Sequence, residues 1–164
     1  MSVEKNLVAA YPYLTPCGIA ARNVDVAKNI RATLKHFFKG VKFSVRATPL
    51  TIDVSWTDGP IQSVVLSKLN KFKGGYFDGM TDCYEYEYES NDFSNTFGHT
   101  NFLSVKRHFS DELLDHAVLL VEKERSVKVT RHFNQTIDGE FAMSLVVAKA
   151  NKLILVDSVW TLTE

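Results

Sequence analysis

The sequence predicts an α+β fold: an antiparallel sheet with two to three helices packed mainly on one face, closed by a C-terminal β-meander. Three observations carry this. Apolar residues recur at helical spacing in the first third of the chain. The period then changes to two, in paired runs joined by short links. Glycines and capping residues stand where each periodic run should stop or start.

The first twenty residues read as irregular, because Pro12, Pro16 and Gly18 break any long element. A helix is expected from about Val24 to Lys39, since Ile30, Leu34, Phe37 and Phe38 share one side. Asn23 is its expected N-cap and Gly40 its stop. Val41, Phe43, Val45 and Ala47 then alternate with Lys42, Ser44 and Arg46. After Thr48-Pro49, Leu50, Ile52, Val54 and Trp56 alternate with Thr51, Asp53 and Ser55. This predicts a hairpin with one buried face.

Thr57-Asp58-Gly59-Pro60 opens a second predicted helix, with Pro60 in the first turn and Gly74-Gly75 as its left-handed stop near Lys73. A loop over 76–81, a strand Cys83–Glu89, a loop over 90–100 and a strand Phe102–Phe109 follow. Ser110 caps a third helix to about Lys123. Beyond it, Val127 and Val129 open one strand, Asp138-Gly139 forms a hairpin turn, and Met143, Leu145 and Val147 form a second strand before Leu153–Leu162. The stretch Glu140–Asn151 also fits a helix, because short apolar runs suit both.

The 164 residues suit a single domain spanning the whole chain, long enough to bury a core without disulfide or metal support. Met1 to Ala10 lacks the pattern of a secretory signal, and no apolar run is long enough to cross a bilayer. Two scattered cysteines suit a reducing compartment, so a cytoplasmic setting with no membrane partner is expected. A formal net charge of zero argues against a wholly basic nucleic-acid coat. The charge is segregated, however. Arg22 to Lys73 holds ten Lys/Arg against three Asp/Glu, and Tyr76 to Asp92 holds six acids and no base.

The residues from Ile30 to Ala47, IRATLKHFFKGVKFSVRA, run into TIDVSWTDGP at Thr51–Pro60 and FKGGYFDGMTDCYEY at Phe72–Tyr86. In this order, with Arg107-His108-Phe109-Ser110 as a closing segment, they resemble the large polyvalent-protein-associated domain family, the twenty-ninth of that series. The resemblance covers a core of roughly 22–110 and leaves 111–164 as a C-terminal helix and strands. It implies a phage or conjugative-element setting and supplies no catalytic residues.

Two charged surfaces are candidate partner contacts. Lys28, Arg31, Lys35 and Lys39 form a single-file stripe on the first predicted helix, continued by Lys42 and Arg46 on the polar face of the next strand. Such a stripe can meet phosphates or an acidic protein patch, and a plainly solvated helix face has the same spacing. Glu85, Glu87 and Glu89 line one side of the Cys83–Glu89 strand, which suits either a contact surface or a charged edge that resists aggregation. Asp78 and Asp82, with Asp53 or Asp58, could hold a divalent ion, though Asp-Gly and Thr-Asp are ordinary turn chemistry. Cys83 with His108 or His132 is a thiol–imidazole combination, but a buried structural cysteine explains Cys83 equally well. No nucleophile elbow, P-loop or zinc-protease motif occurs.

The expected function is therefore that of a non-enzymatic accessory protein of a phage or conjugative element, with no cofactor, metal or catalytic residue. It acts by binding a host or element-encoded protein, in a role against a host defence. A second reading is a nucleic-acid-binding module that uses the basic helix face. A third is a small metal-dependent nuclease-like enzyme centred on Asp53, Asp78 and Asp82.

Overall fold

In a computed structural model of the chain, residues 3–78, 83–86, 91–130, 135–156 and 159–163 are described, by backbone alone at 76–78, 83–86, 155–156 and 159–160. The chain begins with a helix, α1 (Val3–Ala10), where the sequence predicts irregular structure. It buries no residue fully, and its eight residues give only two turns of pattern, Val3 and Leu7, ahead of Pro12. It is held by Leu7 and Val8 packing on the core.

The next helix is α2 (Asn23–Phe37). Ile30 and Leu34 are buried as the spacing predicts, together with Val26 and Ala27, while Phe38 is half-buried and Phe37, expected on the same stripe, is exposed at the helix end. The cap differs from expectation. Arg22 is the N-cap residue, and Asn23 opens the helix while its amide donates to the carbonyls of Thr48 (2.9 Å) and Pro49 (3.2 Å). Gly40 takes the left-handed backbone expected of a helix stop (φ 84).

The predicted hairpin forms from β1 (Ser44–Ala47) and β2 (Thr51–Thr57), antiparallel with Val45 opposite Val54 and Arg46 opposite Asp53. Ile52, Val54 and Trp56 are buried and alternate with exposed Asp53 and Thr57. Beyond the hairpin, α3 (Gln62–Leu69) starts later than Pro60, since Asp58 and Gly59 both hold left-handed backbone (φ 56 and 62). A 3-10 turn over Asn70–Phe72 and an extended Lys73 end it. Gly74-Gly75 is therefore not a left-handed stop. Gly74 is instead needed for space, because a Cβ there would collide with the His99 ring.

Two elements replace predicted loops. Gly75-Tyr76-Phe77-Asp78 forms β3 (Gly75–Asp78), antiparallel to β4 (Cys83–Tyr86). Within 90–100 lies a short helix, α4 (Asp92–Phe97). Asn91 caps it by accepting from the Ser94 N–H at 2.8 Å, and Phe97 anchors it in the core. Six residues are too few to show a helical period. The predicted strand follows as β5 (Phe102–His108), giving a three-stranded sheet of order β1-β2-β5.

The rest of the chain holds α5 (Asp111–Arg125), β6 (Thr136–Ile137), β7 (Glu140–Phe141), α6 (Ala142–Lys152), β8 (Leu153–Val156) and β9 (Val159–Leu162). Ser110 caps α5 as predicted, accepting from the Leu113 N–H at 3.2 Å. Asp138-Gly139 turns β6 into β7 with both residues left-handed (φ 53 and 86). The expected meander becomes hairpins, β6–β7 and β8–β9, around a helix. Over Glu140–Asn151 the helical alternative holds. Ala142, Val146 and Ala150 recur every fourth residue and are fully buried, which outweighs the alternation of Met143, Leu145 and Val147. Val127 and Val129 lie in no strand, although Val129 is buried.

These elements make two compact units: Met1–Trp56 with Ser63–Lys106, and Thr57–Gln62 with Arg107–Glu164. The first is cored by Trp56, Phe72 and Phe97 among aliphatic residues of α2, β2 and α3. The second is cored by Leu113, Ala117 and Val121 of α5 against Ala142, Val146 and Ala150 of α6. Within it, the buried Arg107 guanidinium donates to the carbonyls of Asp58 (3.0 Å), Gly59 (3.1 Å), Ala150 (3.2 Å), Asn151 (3.3 Å) and Leu153 (2.6 Å). The Ala150 and Asn151 carbonyls close the last turn of α6, where unpaired carbonyls and the helix dipole favour a cation.

Candidate functional site

The face built by α2 and β1 carries six of the nine residues singled out in the sequence. Lys28, Arg31 and Lys35 are exposed on the side of α2 opposite Val26, Ile30 and Thr33, whereas Lys39, expected on the same helix, is exposed two residues past its end. Lys42 and Arg46 are exposed before and within β1. The six are not equivalent. Lys28 donates to Asp25 at 2.9 Å, and the Arg31 guanidinium donates to the Val45 carbonyl at 2.6 Å. Lys35 and Lys39 have no carboxylate partner among the described residues.

Between α2 and β1 runs an open groove of about 530 Å³. Its floor is apolar, made by Leu34, Phe38, Val41, Phe43 and Val45. Its rim is basic, made by Arg31, Lys35 and Lys39. The sequence spacing shows the rim, whereas the floor forms only when strand and helix meet. Phe38 and Phe43 pack with ring centres 5.7 Å apart, and Phe43 continues onto buried Trp56 at 5.3 Å, so the floor is braced by the core.

Glu85 lies on β4 opposite Tyr76, with only its backbone described. Glu87 and Glu89 lie outside the described residues. Of the residues in the third reading, Asp53 alone has a described side chain. Asp53 is exposed on β2, Asp78 ends β3 with its side chain undescribed, and Asp82 lies outside the described residues. Among the described residues no three His, Cys, Asp or Glu gather as a metal set. Asp58 has a structural partner instead, its carboxylate accepting from the Ser110 N–H at 2.9 Å. The Cys83 side chain and His132 are outside the description, and His108 is exposed. Cys17, which the sequence reading passed over, donates from its thiol to the Phe97 carbonyl at 3.0 Å. Burial, with Asp25 adding to it, pushes that thiol up and away from the reactive thiolate.

A second surface escaped the sequence reading. Tyr13 stacks on His36 with ring centres 4.2 Å apart, and Phe37 stands edge-on to both, 44% exposed. Lys68 sits 5.0 Å over Phe37, and Lys71 sits 4.1 Å over Tyr11. Burial, with Lys68 nearby, holds the Lys71 ammonium below its ordinary pKa. The signal was present in Lys35-His36-Phe37-Phe38, where aromatic residues are interleaved with bases. Another cavity, of about 470 Å³, opens beside the start of α2 between Arg22, Thr48 and His99. The Nδ1 of His99 is buried with no partner among the described residues.

The family comparison matches residues 21–110, which is the run carrying α2, the β1–β2 hairpin and β5. The chain belongs to the large polyvalent protein associated domain 29 family. Membership associates it with the large polyvalent proteins of phages and mobile elements. No curated protein and no solved structure matches significantly. The groove and its basic rim fall wholly inside the matched run. No helix among the described residues is long and apolar enough to cross a membrane.

Proposed function

We propose that this family member acts by binding a partner protein at the α2–β1 face, as a non-enzymatic accessory of a mobile element that counteracts a host defence. One observation carries the binding reading: an apolar groove rimmed by Lys35 and Lys39, neither with a carboxylate partner among the described residues. Apolar side chains of a partner gain from burial on the floor at roughly 25 cal/mol per Å². Carboxylates on the same partner meet the rim, which sets orientation and speeds encounter. The chemistry thus selects an acidic polypeptide segment with apolar anchors, supplied by the host or by the element. The mobile-element setting follows from the family, and opposition to a host defence is the part that the partner's identity must decide.

The test is capture from host cells carrying the element, with wild type and an Arg31→Glu, Lys35→Glu, Lys39→Glu variant. Exposed charges add little stability, so the variant should fold and lose the partner. A folded variant that captures the same partner in full refutes the reading.

A second reading has its own observation, the Tyr13–His36 stack with exposed Phe37, Lys68 and Lys71. Single-stranded nucleic acid uses such surfaces by stacking bases on rings beside cations. Retention of single-stranded DNA that falls steeply with salt, and is lost on Phe37→Ala, would favour it.

A further inference from the structure

The same face has a backbone as well as side chains. β1 is the outer strand of its sheet, with β2 its one strand neighbour among the described residues. In an antiparallel pair the ladder bonds fall on every second residue. The hairpin is closed by the Thr48 N–H donating to the Thr51 carbonyl at 2.8 Å, and the register continues through Arg46–Asp53 and Ser44–Ser55. The backbone groups of Val45 and Ala47 therefore point away from β2. The Arg31 bond gives the same direction independently, since its guanidinium reaches the Val45 carbonyl from α2. The open edge of β1 thus borders the groove.

Resting on the partner-binding reading above, we infer that the partner binds by strand addition: an extended segment with alternating apolar and acidic residues pairs with the outer edge of β1. Three features converge on that occupant. An added strand finds the outward backbone groups of Ala47 and the Val45 N–H, and takes the Val45 carbonyl in exchange for Arg31. Its side chains on one face lie beside Phe43 and Val45 and fill the groove, and those on the other face lie beside Lys42 and Arg46. Carboxylates at these second positions form opposite-charge cross-strand pairs with Lys42 and Arg46, and the groove side is rimmed by Lys35 and Lys39. The same geometry disfavours a second copy of β1 as occupant. Two copies would bring Lys42 and Arg46 against like charges, the usual device by which sheet edges resist self-pairing. Strand addition of this type takes affinity from main-chain bonds and specificity from alternate side chains. Arg31 would leave the Val45 carbonyl and turn to an incoming carboxylate.

The probe is an acetylated peptide of alternating valine and glutamate, about eight residues long, the length of a β-strand. Controls are a peptide of the same composition with its valines at helical spacing, and an N-methylated form of the first that cannot donate to β1. The expected result is that the alternating peptide binds and slows amide exchange at Val45 and Ala47. N-methylation or Val45→Pro weakens binding by about tenfold, the worth of one to two lost hydrogen bonds. The Val45 N–H lies outside the β1–β2 ladder, so the proline spares the hairpin. Should Val45→Pro unfold by circular dichroism, the N-methylated peptide carries the same test on the wild-type chain. Equal binding by the helically spaced peptide, with no effect of N-methylation, overturns strand addition and leaves the groove reading standing. Unchanged binding in a folded Lys35→Glu, Lys39→Glu variant overturns the groove reading itself. If neither peptide binds, or only single-stranded DNA does, strand addition is wrong.

Discussion

The first unit is cored with rings: Phe72 and Phe97 are fully buried and Trp56 is 3% exposed. The second is cored with methyl groups, Ala117, Ala142 and Ala150 among Leu113, Val121 and Val146, and its one buried charge among the described residues is Arg107. Large rings bury much area per residue, and they brace a shallow apolar surface such as the Phe38–Phe43 floor from beneath. The Arg107 acceptors are carbonyls of the Asp58-Gly59 turn, of the last turn of α6 and of Leu153, where helix-end carbonyls favour a cation. The candidate face thus lies in the unit cored with rings, and the buried Arg107 network in the unit cored with small residues. The difference also follows the family match, since the α5–α6 pair lies beyond residue 110.

Breaking the ring core should give the largest effect. Trp56→Ala is expected to cost about 3–5 kcal/mol, because it leaves a cavity beside Phe43 that the sheet cannot fill. Urea unfolding measures the loss, and amide exchange should place it in α2 and the β1–β2 hairpin. A native-like midpoint would mean that the aromatic core does not hold the first unit together.

Arg107→Met sharpens the other side. It keeps bulk and removes the donors to five carbonyls; that of Ala150 keeps the Leu153 N–H, whereas that of Leu153, a fully buried residue, loses its 2.6 Å bond. Leaving such carbonyls unpaired should cost about 2–4 kcal/mol, somewhat less than the tryptophan. Lysine at the same position supplies one ammonium in place of a planar fork and should recover only part of the loss. Full recovery by lysine would show that charge, rather than the fork's geometry, closes α6.

Both cores contain parts that the sequence displays and parts that it hides. The β1–β2 hairpin was legible because period-two alternation and burial agree at Ile52, Val54 and Trp56. So was α5, whose Ser110 cap precedes a clear apolar stripe. Helix α4 was hidden because six residues are shorter than two helical turns. Helix α6 was ambiguous because alanines carry its buried stripe, and alanine counts weakly in any apolar pattern. At the candidate face, Lys28, Arg31 and Lys35 were legible as a stripe of one helix, while Lys39 falls beyond the helix end at Phe37. The groove floor and the open edge of β1 were not, because both arise from contacts between elements far apart in sequence. Arg107 appeared in the sequence only as part of a closing motif, for the same reason: its partners lie more than forty residues away on either side.

The smallest expected effect divides the stripe itself. Asp25, in the first turn of α2, is held below the usual carboxylate range chiefly by the hydrogen bond from Lys28, with Arg22 adding to it and burial opposing. A carboxyl whose folded pKa is lowered contributes stability that is present above its unfolded value. That contribution fades as pH falls through the lower folded value. Lys28→Ala should move the Asp25 titration upward, read by carboxyl NMR, while stability at neutral pH hardly changes because the lysine is 67% exposed. It should also leave partner capture nearly intact, since the Lys28 charge is already met within the chain. Lys35→Ala removes an ammonium with no carboxylate partner among the described residues and should weaken capture measurably. Equal losses from the two substitutions would mean that the stripe acts as an undivided positive field, and that the groove rim has no special part in binding.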